Sequence, residues 1–203
     1  VKGATMLAAS IHLSRGTPYI YMGEEIGMID PDFKSMADYV DVESINAYQA
    51  LLEAGHTSEQ AFEIIQIKSR DNSRTPMQWD NTANAGFSTG TPWLATGNHA
   101  EINVENEQSG EVYQFYKQLI QLRKTDQLIS DGTYQAAYQD AEHIYAFIRE
   151  CEGRELLVLT NFSNQVVDFE LLADFVDSEI LINNYATYLP NQLQPYQAIA
   201  FAI

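Results

Sequence analysis

The chain has 203 residues, 45% of them hydrophobic, enough for one large domain or two small ones with buried cores. Eleven Lys and Arg stand against 28 Asp and Glu, a net charge of −17, which argues against a surface for nucleic acid or an anionic membrane. The single cysteine, Cys151, excludes an intrachain disulfide and fits a reducing, cytoplasmic compartment; the four histidines show no metal-ligand spacing. No run of about 20 apolar residues and no signal peptide is present, so neither a membrane span nor a membrane partner is expected.

Residues 2–15 (KGATMLAASIHLSR) are rich in helix formers, with Met6, Leu7, Ser10, Ile11 and Ser14 on overlapping faces. Gly16 is expected to cap this helix, and Pro18 cannot continue it. The chain opens at Val1 already inside the helical pattern, which reads as a fragment of a longer protein. Residues 19–22, between Pro18 and Gly23, form a short β-prone apolar run of the kind buried on both faces of a parallel sheet. Helix, turn and buried strand is the rhythm of an α/β sheet or barrel. Such folds keep their sites at the C-terminal ends of strands, where Glu24 and Glu25 fall. These acids suit either catalysis or hydrogen bonds to neighbouring loops, the second being the plainer expectation.

Residues 42–54 predict an amphipathic helix with Ile45, Tyr48, Leu51 and Leu52 on one side, stopped by Gly55. Thr57 or Ser58 then caps a second helix over 59–67, with Ala61, Phe62, Ile64 and Ile65 as its apolar set. Residues 97–110 read as acidic, Asn-rich coil. Residues 111–124 carry the clearest helical pattern: Val112, Phe115, Tyr116, Leu119 and Leu122 in phase, and Arg123 and Lys124 in the last turn. After Asp131 the character changes. Short β-type runs at 132–139, 143–150, 155–161, 166–171, 178–183 and 197–202 are separated by turn residues such as Asp140, Gly153, Asn164 and Pro190. That spacing predicts an antiparallel sandwich and a boundary near 126–131.

The most informative stretch is 68–94 (KSRDNSRTPMQWDNTANAGFSTGTPWL). It follows no helical or strand period, and long loops of this kind in compact folds are usually functional or disordered. Trp79, Phe87 and Trp93 call for burial, so order is expected. Arg70, Arg74 and the tryptophans suit a polar ligand with flat faces; a structural loop pinned by its aromatics is the other reading.

Five stretches carry a resemblance: GTPYIYMGEEIGM, KSRDNSRTPMQWD, AGFSTGTPW, EINVE and the helix ending LIQLRK. Together they resemble the C-terminal part of an α-glucosidase of the α-amylase superfamily, glycoside hydrolase family 13. The nearest branch holds oligo-1,6-glucosidases, dextran glucosidases and trehalose-6-phosphate hydrolases. The resemblance implies an α/β plus β fold, the C-terminal part of a (β/α)8 barrel followed by a small antiparallel β-sandwich domain. Residues 1–126 would be the end of the catalytic barrel, including a long insertion after its eighth strand at 19–22, and residues 131–203 the sandwich.

The family cleaves α-glucosidic bonds with retention, which needs two carboxyl groups about 5 Å apart. The motifs that carry the family's catalytic acids are absent from this sequence, so no catalytic residue is assigned here; the acids are expected upstream, and the fragment alone is expected to be inactive. What the resemblance transfers is substrate contact. Arg70, of the RDN motif, matches an arginine that binds hydroxyls of the non-reducing glucose, and Glu43, of DVES, matches an acid near the leaving-group side. Arg74 and Asp71 are expected to brace the loop, and Trp79 and Trp93 to pack. No cofactor and no metal is implied.

Ser69 and Ser73 in KSRDNSR, the DPDF at 30–33 and DVESIN at 41–46 lean toward trehalose-6-phosphate hydrolases, with α-1,6 isomalto-oligosaccharides as the alternative substrate. A phosphate would need Lys or Arg; with only 11 basic residues and none clustering, that group too is expected upstream. A different class of reading makes the chain a structural or carbohydrate-binding module, with Tyr134, Tyr138, Tyr145, Tyr185 and Tyr188 facing sugar. The implied partners are a small carbohydrate, the missing N-terminal part of the same protein, and a second copy joined through the exposed barrel edge.

Overall fold

The computed structural model describes residues 1–97 and 99–203. The chain forms two compact units, one of Val1–Tyr21 with Glu111–Ile203, the other of Met22–Gly110.

In the first unit the helices α1 (Lys2–His12), α5 (Glu111–Thr125) and α6 (Gln127–Ser130) lie on one face of a five-stranded sheet. Its strands are β1 (Gln135–Ala137), β2 (Ile144–Cys151), β3 (Arg154–Asn161), β5 (Glu179–Asn183) and β7 (Ala198–Ala202), in the order β1-β2-β3-β7-β5, every pairing antiparallel. A two-stranded ribbon of β4 (Val167–Asp168) and β6 (Gln192–Leu193) completes the unit. The central strand β3 shows why this sequence makes a two-faced sheet. Leu156 and Val158 point to the helices, packing with Met6, Leu13, Phe115, Leu119 and Ile129. Leu157 and Leu159, one residue out of phase, join a second core with Phe169, Phe175, Leu193 and Phe201. Each of these fully buried leucines contributes roughly 1.5–3 kcal/mol of apolar burial. The β2–β3 hairpin turns through Glu152 and Gly153, at φ 52° and 80°, with Cys151 opposite Arg154. Positive φ at both central residues matches the twist of the strands, and Gly153 takes its share without steric cost.

The phase of α5 is as read: Val112, Phe115, Tyr116 and Leu119 are buried and Leu122 packs beside them. Other expectations are corrected. Helix α1 stops at His12, and its C-cap is Leu13 in right-handed geometry, so Gly16, at φ 126°, serves the turn beyond rather than the helix end. Leu7 and Ile11 are about half exposed, while Ala8, Ala9 and Leu13 are buried, so small residues set its packing face. Residues 19–22 form no strand, and Tyr19 is 86% exposed. A strand exists only where neighbouring strands take its N–H and C=O groups, and none is hydrogen-bonded to these four residues. Three of the basic residues do converge: Arg123, Lys124 and Arg154 line a shallow pocket, Arg154 held by Asp126 at 2.7 Å.

The second unit holds α2 (Val42–Glu53), α3 (Ser58–Lys68) and α4 (Val104–Glu107), with 3-10 turns at Glu24–Ile26, Met36–Asp38, Arg70–Ser73 and Ala83–Gly86. Its core is Phe33, Tyr39, Ile65 and Leu94, with Tyr48 and Phe62 packed against it. Gly55 ends α2 with φ 95°: its N–H donates to Leu52 and that of His56 to Leu51, a Schellman closure. Thr57 starts α3 with a reciprocal bond to Gln60. Ile45, expected on the apolar face of α2, is 41% exposed, and Ser44 is the buried residue there. Helix α4 interrupts what read as coil, begun by the Asn103 side chain accepting from the Asn106 N–H at 2.9 Å.

Candidate substrate-binding site

The site grows from two chain segments of the second unit, residues 40–44 entering α2 and residues 69–74 leaving α3. Asp41 caps α2. Its Oδ2 accepts from the Ser44 N–H at 3.2 Å and from the Ser44 hydroxyl at 3.1 Å. The hydroxyl reaches on to the Ser69 Oγ at 2.8 Å, and Ser69 Oγ accepts from the Asp71 N–H at 3.2 Å. Asp71 is fully buried, and its Oδ2 accepts from the N–H groups of Val40 and Asp41, both at 2.8 Å. The two segments are cross-stitched by side chains before any arginine is considered.

The arginines sit on this frame. Arg70 Nη2 donates to Asp41 Oδ1 at 3.0 Å and lies 2.9 Å from Glu43 Oε2. Arg74 Nη1 meets the same Asp41 oxygen at 3.2 Å and lies 3.6 Å from Asp71 Oδ1. Exposure separates their roles. The Asp41 side chain is 7% exposed, Arg70 56% and Glu43 72%. Arg70 is therefore anchored through Nη2 while its side chain as a whole stays more than half exposed. Burial raises the Asp41 carboxyl, but hydrogen bonds from the Ser44 backbone, its hydroxyl and Arg70 outweigh it and hold the group below the usual carboxylate range.

The structure brings Arg70 and Glu43, the two expected contact residues, into one ion pair. It also places Arg74 and Asp71 beneath them, as braces. Asp41, Ser44 and Ser69 were missed as members of the site. The signal was the D-x-x-S spacing just before the helix, which marks an N-cap and can equally mark a carboxylate with a free second oxygen.

Elsewhere the candidates separate. Glu25 accepts from the Gly23 N–H at 2.8 Å and so closes its own turn, a bond within the segment and not the one to a neighbouring loop that was expected. Trp79, Phe87 and Trp93 are 49%, 48% and 67% exposed, correcting the expectation that they pack. The loop is ordered instead by backbone bonds, such as Trp79 N–H to Ala85 C=O at 2.8 Å and Glu105 N–H to Trp79 C=O at 3.1 Å, which leave the indoles outside. The tyrosines after residue 131 have partners of their own. Tyr138 and Tyr188 meet Phe169 and Phe201 edge-on, Tyr145 lies tilted against Phe147, and the Tyr185 hydroxyl donates to Pro195 C=O. Among the described residues no His, Cys, Asp and Glu side chains group as metal ligands would, and no helix is long and apolar enough to cross a membrane.

Comparison with known proteins gives the chain its family. The family model for the alpha amylase catalytic domain matches residues 1–132, and the chain belongs to that family. It is 43% identical over 213 residues to a trehalose-6-phosphate hydrolase of Bacillus subtilis, covering 100% of this chain and 38% of that protein. It is 42% identical over 214 residues to an oligo-1,6-glucosidase of Parageobacillus thermoglucosidasius, again across 100% of this chain and 38% of the relative. The crystal structure of Bacillus licheniformis trehalose-6-phosphate hydrolase superposes with a TM-score of 0.91 at 41% identity, covering 99% of this chain and 38% of that one. The chain thus spans 38% of the length of these relatives.

Proposed function

We propose that this chain is part of a retaining α-glucosidase and supplies its substrate site with Arg70, while the catalytic carboxylates come from the rest of the protein. In that reading residues 1–126 complete a (β/α)8 barrel and residues 131–203 are its small β-sandwich. The observation that carries the reading is Arg70 itself. It stands in the RDN motif, is fixed through Nη2 to a buried aspartate, and its side chain is 56% exposed. A rigid, always charged fork of this kind can grip two neighbouring sugar hydroxyls. Glu43, exposed beside it, suits the leaving-group side. Family membership and relatives of about 40% identity named for α-glucoside hydrolysis support the reaction class. The lone cysteine accords with a cytoplasmic enzyme.

Trehalose 6-phosphate is the substrate we favour, on Ser69, Ser73 and the DVESIN segment; the relative named oligo-1,6-glucosidase at 42% identity keeps α-1,6 isomalto-oligosaccharides as the second reading. Assay of the whole protein on trehalose 6-phosphate and on isomaltose tests this directly. Preferential release of glucose and glucose 6-phosphate from the first is the expected outcome; preference for isomaltose overturns the substrate and retains the class. Residues 1–203 alone should not turn over p-nitrophenyl α-glucoside, and turnover would contradict the placement of the acids outside this chain.

A further inference from the structure

Arg70 touches two carboxylates, and they differ in what they can do. Glu43 is 72% exposed on a flexible side chain, and ion pairs of that kind fix little. Asp41 is short, 7% exposed and divided in its duties. Its Oδ2 is committed to the start of α2 through the Ser44 N–H and hydroxyl, which fixes the plane of the carboxylate. Its Oδ1 is thereby held at one point, and both arginines converge there, Arg70 Nη2 at 3.0 Å and Arg74 Nη1 at 3.2 Å. The backbone of Asp41 is tied back in turn, its N–H donating to Asp71, the residue next to Arg70. The position of the Arg70 guanidinium is therefore set by the helix end and not by its own long side chain.

We propose that Asp41 is a positioning residue for Arg70, holding the guanidinium where it meets the sugar hydroxyls. The proposal rests on the reading of Arg70 as a substrate contact. It makes no use of proton transfer: Asp41 stays ionised and acts only through the arginine. Arg74 shares the oxygen and also lies 3.6 Å from Asp71 Oδ1.

The test uses the whole protein with p-nitrophenyl α-glucoside. Asp41→Asn and Asp41→Ser both keep a residue that caps helices well, so α2 still starts. Each removes the charged acceptor that holds Arg70. Each should lower kcat/KM by about tenfold, mainly through KM, with little change in Tm. In an Arg70→Ala background the same substitutions should change kcat/KM by less than about twofold, because there is no guanidinium left to position. Equal losses in the two backgrounds, or no loss in either Asp41 variant while Arg70→Ala is impaired, would overturn the positioning role. An unimpaired Arg70→Ala would instead remove the substrate-contact reading beneath it, and the positioning role with it.

Discussion

At the scale of single residues, the fold contains a second arginine whose role no pattern announced. Arg149 is fully buried in β2, on the face toward the helices. Its partners are carbonyls, not acids: Nη1 donates to Leu13 at 2.6 Å and Nη2 to Gly132 at 2.7 Å, with Nε on Thr133. Burial pulls its pKa down, and the nearby Arg123 and Arg15 add to the effect, but a guanidinium so far above neutrality stays charged. In sequence it reads as an ordinary polar residue of an alternating strand. Only the fold shows that β2 passes the end of α1 and the turn at Gly132, where three carbonyls need donors. Arg149→Leu should strand those acceptors and lower stability by about 2–4 kcal/mol in denaturant unfolding, with the substrate site unaltered. A variant within about 0.5 kcal/mol of wild type would contradict the account. Arg70 differs in being marked by its motif, and the structure sets it, 56% exposed, on a carboxylate that is 7% exposed.

At the scale of elements, the helices and most strands were legible because each carries a period of its own. The phase of α5 and the run in β3 follow from burial on one face or two. What was illegible depends on partners distant in sequence. Residues 19–22 have strand chemistry and no strand, and the short α4 and α6 are set by Asn103 and Asp126 caps in stretches too brief to show a period. Asp126 links two elements, since it caps α6 and holds Arg154 of β3 through two bonds of 2.7 and 3.0 Å. The Arg154 hydrogen bond lowers its pKa, burial opposes this, and the Leu128 N–H adds to the lowering. A carboxyl depressed in the folded state contributes stability that is present above its unfolded value, about 4, and lost as pH falls through the folded value. Acidification from pH 6 to 3 should therefore cost the wild type more stability than Asp126→Asn. Parallel losses in urea titrations of the two would show the bridge to be unimportant.

At the scale of the whole molecule, the chain leaves much apolar surface open: Tyr19, Tyr21, Met22, Leu7 and Ile11 are all close to half exposed or more. Exposed apolar side chains in such number suit a surface made to be covered. That agrees with a chain spanning 38% of its relatives' length. The central claim is that Arg70 works on substrate and the frame of Asp41, Ser44, Ser69 and Asp71 exists to aim it. The most direct measurement is kcat/KM of the whole protein and its Arg70→Ala variant on the substrate it prefers. Loss of a charged hydrogen-bond donor to sugar hydroxyls predicts a fall of roughly ten- to a hundredfold with Tm nearly unchanged. An unchanged kcat/KM would mean that the arginine is only a brace.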